Sequence, residues 1–197
     1  MSKGFYRFMC DVMGPWYAVF YPARVDGLEN IPADGGFILC SNHISARDPF
    51  YLAIRCRKRM VHFMAKAELF RNRLVAAFLR GLESFPVERG SSDLAAVRTA
   101  LKLVSDGHGL GLFPQGTRSR DNAPTPMLTG ASMIAMRAGV PVIPVYIGGP
   151  YRLFRRIQVS FGAPIDFSDL GRRADRETLE KATQRIAESI WSLKKQC

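Results

Sequence analysis

A chain of 197 residues with 47% hydrophobic and 23% charged residues fits one folded globular domain and excludes a disordered segment. Its 28 Lys and Arg exceed its 17 Asp and Glu, and the net charge of +11 favours an anionic partner: nucleic acid, an acidic membrane face or a phosphorylated substrate. The four cysteines form no Cys-x-x-Cys pair and the three histidines have no ligand-like spacing, so reduced thiols and no metal site are expected.

The amino-terminal stretch is apolar and aromatic, with Phe5, Phe8, Val12, Trp16, Tyr17, Val19, Phe20 and Tyr21. Its charge-free part, residues 12–23, falls short of the roughly 20 that span a bilayer, and Pro15 interrupts it. Asp11 inside the apolar region and the lack of a small-residue cleavage site argue against a signal peptide. Two readings stand. One is a helix packed on the protein's own core; the other is an interfacial helix with Lys3, Arg7 and Arg24 on its wet side.

Residues 24–28 suit a short strand, and Phe37-Ile38-Leu39-Cys40 is the first clear one. The next stretch, Ser41-Asn42-His43-Ile44-Ser45-Ala46-Arg47-Asp48-Pro49, sets a histidine and an aspartate five positions apart. Side chains at that separation do not share a face of a regular helix, so contact between them requires a turn. Pro49 favours an extended or turn conformation at Asp48 and a helix start just beyond it. On its own residues the stretch reads most simply as a capped helix start with an ordinary loop histidine.

A helix over 49–55 and a strand over 60–65 follow; His62 inside that strand suits packing better than catalysis. Leu69, Phe70, Leu74, Val75, Phe78 and Leu79 recur at helical spacing, a face that suits the core or an acyl-chain groove. A third strand covers 83–87, and Ser92 is the expected N-cap of a helix carrying Leu94, Val97, Leu101 and Val104. Residues 110–113 form a strand that runs into Pro114-Gln115-Gly116-Thr117-Arg118-Ser119. Beyond it come a helix over 130–138, a strand over 142–147 lacking one ladder donor at Pro144, a strand over 156–161, and a helix over 177–195. Strands alternating with helices predict a single α/β domain with a mixed, largely parallel sheet flanked by helices. The chain thus divides into an N-terminal interfacial helical segment, 1–23, and an α/β domain, 24–197.

Loops leaving the carboxyl ends of parallel strands gather on one edge of such a sheet. Here that edge would collect His43 and Asp48, Glu88 and Arg89, and Gln115 to Ser119. An imidazole with a carboxylate, two arginines, hydroxyls and glycine-exposed amides suit a phosphate-bearing substrate and proton abstraction from a hydroxyl. No Gly-x-Ser-x-Gly elbow is present, which makes a seryl acyl-enzyme the less natural chemistry.

Four blocks carry a resemblance: Asn42-His43-x4-Asp48, Phe85-Pro86-Val87-Glu88-Arg89, Phe113-Pro114-Gln115-Gly116-Thr117-Arg118-Ser119 and Val140-Pro141-Val142-Ile143-Pro144-Val145. Their order and placement at strand ends resemble the glycerolipid acyltransferases, and most closely the 1-acylglycerol-3-phosphate acyltransferases. The resemblance implies transfer of a fatty acyl group from acyl-CoA or acyl carrier protein to the sn-2 hydroxyl of lysophosphatidic acid, giving phosphatidic acid. It implies a thioester co-substrate and no cofactor. It implies His43 as general base held by Asp48, Arg118 as the phosphate clamp with Arg89 as second candidate, and Gly116, Thr117 and Ser119 shaping the pocket, with Lys66 as a further cation. Peripheral attachment to an anionic membrane at its cytoplasmic face follows from the same resemblance and the basic surface. Nucleic acid is not expected, because the basic residues are scattered over 55–59, 152–156 and 172–176 and no nucleic-acid module is present.

The chain departs from the family pattern twice. The third block usually carries a glutamate where this chain has Gln115, whose amide keeps hydrogen-bonding capacity but cannot ion-pair with Arg118. Met127-Leu128-Thr129-Gly130 stands where the family often has Phe-Lys-x-Gly, so one expected cation is absent. The alternatives are another lysophospholipid or glycerol 3-phosphate as acceptor, or a non-catalytic lipid-binding relative marked by Gln115.

Overall fold

The structure, a computed structural model, describes residues 3–88, 93–119, 122–171 and 175–194. Helix α1 (Lys3–Phe20) leads into β1 (Ala23–Asp26), β2 (Phe37–Ser41), α2 (Asp48–Arg55), β3 (Val61–Lys66) and α3 (Arg73–Gly81). The chain continues through β4 (Ser84–Val87), α4 (Leu94–Ser105), β5 (Gly109–Leu112), α5 (Thr129–Ala138), β6 (Val142–Ile147), β7 (Ile157–Phe161) and α6 (Arg176–Ser192). The strands form one sheet in the order β1-β7-β6-β2-β5-β3-β4. Neighbours are parallel except β6 and β7, which makes the sheet mixed and largely parallel, as expected from the alternation of elements.

Strand β2 shows why the sheet is covered on both faces. All five of its residues are buried, and successive side chains point to opposite sides. Phe37 and Leu39 join one core with Tyr51, Leu52, Ile54 and the inward residues of α1, Tyr6, Cys10 and Tyr17. Ile38 and Cys40 join the other with Ala100 and Val104 of α4, Ile134 of α5, and Ile186 and Ile190 of α6. Each fully buried large side chain contributes about 1.5–3 kcal/mol of transfer free energy, so this central strand is a major source of stability.

Several boundaries differ from those the sequence suggests, each for a local reason. Asp93 caps α4, accepting from Ala96 N at 2.9 Å, whereas Ser92 lies outside the described residues. Asp93 also accepts from Glu88 N, and these two backbone donors hold its carboxyl below the usual range. Helix α2 begins at Asp48 itself, so Pro49 occupies the first turn, where no backbone donor is needed. The Pro144 carbonyl accepts from Gly162 N, but Pro144 has no N–H to return the second bond of that antiparallel pair, and the regular ladder with β7 starts only at Val145. The stretch 69–79 splits into a 3-10 turn and α3, capped by Asn72. Its apolar face is not core: Leu69, Leu74, Val75 and Phe78 are exposed. Spacing identifies residues that share a face but carries no information on what covers it.

His62, inside β3, is buried as expected for a packing residue. Its Nδ1 lies 3.1 Å from the Glu83 carbonyl, which can only accept, so the neutral ring carries its proton there and Nε2 is buried without a partner. Burial first, and His108 beside it, push the ring down from 6.5 to about 4. The unfolded chain therefore binds this proton more readily than the folded one. The associated stability, at most about 3 kcal/mol, is present above pH 6.5 and is lost as pH falls toward 4. Urea unfolding at pH 7 and pH 5 should show this loss in the parent protein and a smaller one in His62→Phe.

Candidate active site

The β2 strand ends at Ser41, and the next residues are bonded to both neighbouring strands' ends. Asn42 works as a detached strand residue: its Nδ2 donates to Ile147 O at 2.8 Å and its Oδ1 accepts from Ile147 N at 2.7 Å. His43 is gripped from the β5 side. Its N–H donates to Gln115 Oε1 at 2.6 Å, and its carbonyl accepts from Ser119 N at 2.8 Å. Both peptide groups flanking the imidazole are thus fixed by the loop that follows β5.

The ring is fixed from two further directions. Phe113 stacks on it with centroids 4.2 Å apart and planes 25° apart. Asp48 Oδ2 lies 2.8 Å from Nδ1, so the turn that a five-residue separation requires does form. The same oxygen accepts from Ile44 N at 2.7 Å and Ser45 N at 2.8 Å. Asp48 therefore caps the loop behind it, while α2 begins with no side-chain cap from Arg47. A carboxylate accepting from Nδ1 leaves Nε2 as the basic nitrogen. His43 is 9% exposed and Asp48 is fully buried, so the pair sits in a low-dielectric setting. Beside it lies a cleft of about 400 Å³ lined by Ile44, Ser45, Arg47, Asn122 and Tyr151.

The remaining expected residues divide. Gly116 sits at φ 66°, and a Cβ there would lie 2.6 Å from Leu128 Cδ1, so the turn after β5 requires glycine. Thr117 and Arg118 are exposed and Ser119 is buried in the same turn. Arg118 has no ion pair or hydrogen bond among the described residues, and its guanidinium is available to a ligand. Lys66, at the end of β3, pairs with Glu68 at 2.9 Å. Arg89 lies outside the described residues. Gln115 is 5% exposed and turned inward: besides holding His43 N, its Nε2 donates to Thr125 Oγ1 at 2.5 Å. Its departure from the family pattern therefore bears on the histidine loop, not on an ion pair with Arg118. Sequence reasoning missed Tyr151, whose hydroxyl donates to Asp48 Oδ1 at 2.8 Å, and Phe113 as the ring's stacking partner. Phe113 stood inside a recognised block; Tyr151, 103 positions from Asp48, gave no spacing signal.

An ordered imidazole–carboxylate pair lies at the carboxyl edge of an α/β sheet, next to a turn whose Arg118 guanidinium has no partner among the described residues, an arrangement chemically suited to base catalysis. The Acyltransferase family matches residues 22–148, and the chain belongs to that family of enzymes. It is 29% identical over 193 residues to the 1-acyl-sn-glycerol-3-phosphate acyltransferase of Bacillus subtilis (strain 168), covering 95% of this chain and 96% of that protein. It is 32% identical over 171 residues to the enzyme of the same name from Streptococcus pneumoniae, covering 83% of this chain and 63% of that protein. The crystal structure of the 1-acyl-sn-glycerophosphate (LPA) acyltransferase PlsC from Thermotoga maritima matches with a TM-score of 0.71 at 26% identity, over 97% of this chain and 79% of that one.

The role of Gln115 is open to direct measurement. Gln115→Glu keeps an acceptor for His43 N and lets the Thr125 hydroxyl donate, so acyl transfer should stay within about tenfold of the parent. Gln115→Ala leaves a buried N–H unpaired at a cost of about 1–3 kcal/mol and releases the histidine loop, and kcat should fall by about 10- to 100-fold. Steady-state kinetics on the two variants decide this.

Proposed function

We propose that this protein transfers a fatty acyl group from acyl-CoA or acyl carrier protein to the sn-2 hydroxyl of 1-acylglycerol 3-phosphate, forming phosphatidic acid at an anionic membrane surface. The observation that carries this reading is the His43–Asp48 pair, fixed in one tautomer and latched by two loops. The names of the relatives supply the acceptor.

In this mechanism His43 Nε2 takes the proton of the acceptor hydroxyl as its oxygen attacks the thioester carbonyl. The C–O bond forms, the tetrahedral intermediate collapses with breakage of C–S, and the imidazolium returns the proton to the leaving thiolate. Asp48 stabilises the imidazolium while it exists. A cysteinyl intermediate finds no support among the described thiols: burial pushes Cys10 up to about 11, and Cys40 and Cys56 up to about 12. Arg118 would clamp the acceptor phosphate through paired N–H groups, with Arg89 assisting and Gly116, Thr117 and Ser119 shaping the turn that carries it. Lys66 would have to exchange Glu68 for substrate to take part.

The membrane reading rests on one side of the molecule. Phe8, Val12, Trp16 and Val19 project outward from α1, exposed, while Tyr6, Cys10 and Tyr17 of the same helix are buried. A Cβ at Gly81 would lie 2.5 Å from the Phe5 ring, so the end of α3 packs against the start of α1. Phe20 continues the patch to exposed Phe154 at 5.5 Å. Among the described residues no helix is long and apolar enough to cross a membrane. On the strength of the exposed apolar side chains of α1, we propose 1–23 as an interfacial segment, with 24–197 as the catalytic body.

His43→Ala should lower turnover of thioester with lysophosphatidate by about 10²–10⁴-fold. Arg118→Ala should mainly raise KM for the phosphate-bearing acceptor. A panel including glycerol 3-phosphate and other lysophospholipids fixes the acceptor, and an active His43→Ala would overturn the assignment. Replacing Phe8, Val12 and Val19 together by serine should abolish sedimentation with anionic liposomes while leaving the melting temperature unchanged, because these side chains lie outside the core.

A further inference from the structure

The two oxygens of Asp48 are held very differently. Oδ2 accepts from His43 Nδ1 and from two backbone amides. Oδ1 has, among the described residues, one partner: the Tyr151 hydroxyl, at 2.8 Å. Tyr151 follows β6, on the opposite side of β2 from the loop that grips His43, and it forms part of the cleft wall. We propose that Tyr151 is a positioning residue for the catalytic pair, its hydroxyl locking the Asp48 carboxylate that orients His43. This rests on the reading of His43 as the general base.

The phenol is built to hold one position. Its ring stands edge-on to Tyr51 at 5.5 Å and to Tyr21 at 6.1 Å, and the Tyr51 hydroxyl is itself fixed on the Tyr21 carbonyl at 2.8 Å. A half-buried tyrosine beside an open cleft could leave its hydroxyl to solvent. This one is directed instead onto the carboxylate that holds the His43 ring. Burial first, and then the Asp48 charge, push the phenol far above its usual range, so it remains a donor throughout the working pH. A donor on Oδ1 stops the carboxylate from turning about its Cβ–Cγ bond. It also spreads the charge away from Oδ2, which moderates the pull of Asp48 on the imidazolium.

The sign of the pH effect follows from the groups that face the pair. Asp48 and Tyr51 come from α2, and Tyr17 and Tyr21 come from α1 and its end. Two guanidiniums lie over neighbouring rings, Arg47 over Tyr21 and Arg55 over Tyr51, and among the described residues no Arg or Lys is paired with Asp48. Removing the hydroxyl therefore leaves Asp48 with one donor fewer. The charge on Oδ2 rises, the protonated imidazole is favoured, and the base is lost at a higher pH than in the parent.

The test uses the full chain and Tyr151→Phe, which keeps the ring and its edge-on contacts. Relative to the parent, kcat should fall by about tenfold with both KM values within about twofold, the rate equivalent of one charge-assisted hydrogen bond. The acidic limb of the kcat/KM profile should move up by about half a pH unit or more. In an Asp48→Asn background the same change should add little further loss, because the two side chains act through one interaction. A parent-like kcat with an unmoved limb overturns the proposal. So does a loss that multiplies fully with Asp48→Asn, or one that tracks the melting temperature with the limb unmoved. His43→Ala separates the two readings: an active His43→Ala brings down both, whereas an inactive one beside a parent-like Tyr151→Phe brings down the role of Tyr151 alone.

Discussion

A carboxylate taken wholly out of water costs several kcal/mol unless donors replace its hydration. Asp48 is such a group, and the architecture of the carboxyl edge follows from satisfying it. Four donors converge on it: the His43 ring, the amides of Ile44 and Ser45, and the Tyr151 hydroxyl. Two of the four are backbone groups of the segment that joins the histidine to the aspartate. The loop must therefore wrap around the carboxylate, and in wrapping it delivers the imidazole. Any conformer that swings His43 away leaves Asp48 with fewer donors, so the charge itself selects the active geometry.

Sheet order completes the constraint. Because β2 lies between β5 and β6, the loop leaving it can be tied on both sides at once. Gln115 and Ser119 hold the His43 backbone from the β5 side, while Asn42 reaches Ile147 on the β6 side. Parallel neighbours matter here, because strands running the same way deliver these loops to the same edge. The antiparallel β7 lies one place further out, where its direction does not affect the site.

Much of this was legible in the sequence. Short apolar runs bounded by turn residues gave the strands, the blocks at their ends gave His43, Asp48 and the Gln115–Ser119 turn, and alternation with helices gave the parallel sheet. What remained illegible has common physical causes. The periodicity of 69–79 records a shared face, and an exposed apolar face has the same period as a buried one. Gln115 invited a charge argument about Arg118, its neighbour in the block, yet its side chain turns the other way to a backbone group 72 positions distant. Tyr151 contributes through a single long-range hydrogen bond, and no local pattern encodes such a contact. Local sequence thus specified which loops matter, and tertiary structure decided which atoms meet.

Helix α1 connects the site to the rest of the molecule in a way that local reading framed as a choice. It packs as core along one side and leaves large apolar side chains exposed along another. Its inward residues Tyr6, Cys10 and Tyr17 complete one core, and its outward residues Phe8, Val12, Trp16 and Val19 remain uncovered. Large exposed apolar side chains grouped on one helix are the kind of surface that marks an interaction site. The end of the same helix also supports the His43–Asp48 pair: Tyr17 packs on Tyr51 at 5.6 Å, and Tyr21 packs on Tyr151 at 6.1 Å, one hydroxyl away from Asp48. A lipid acceptor keeps its acyl chain in the bilayer and presents its hydroxyl near the headgroups. For an enzyme acting there, the docking surface and the base have to be held in fixed relation. On the proposed reading, a helix that reaches both the exposed apolar surface and the His43–Asp48 pair, through side chains packed ring against ring, would meet that requirement without a hinge between them.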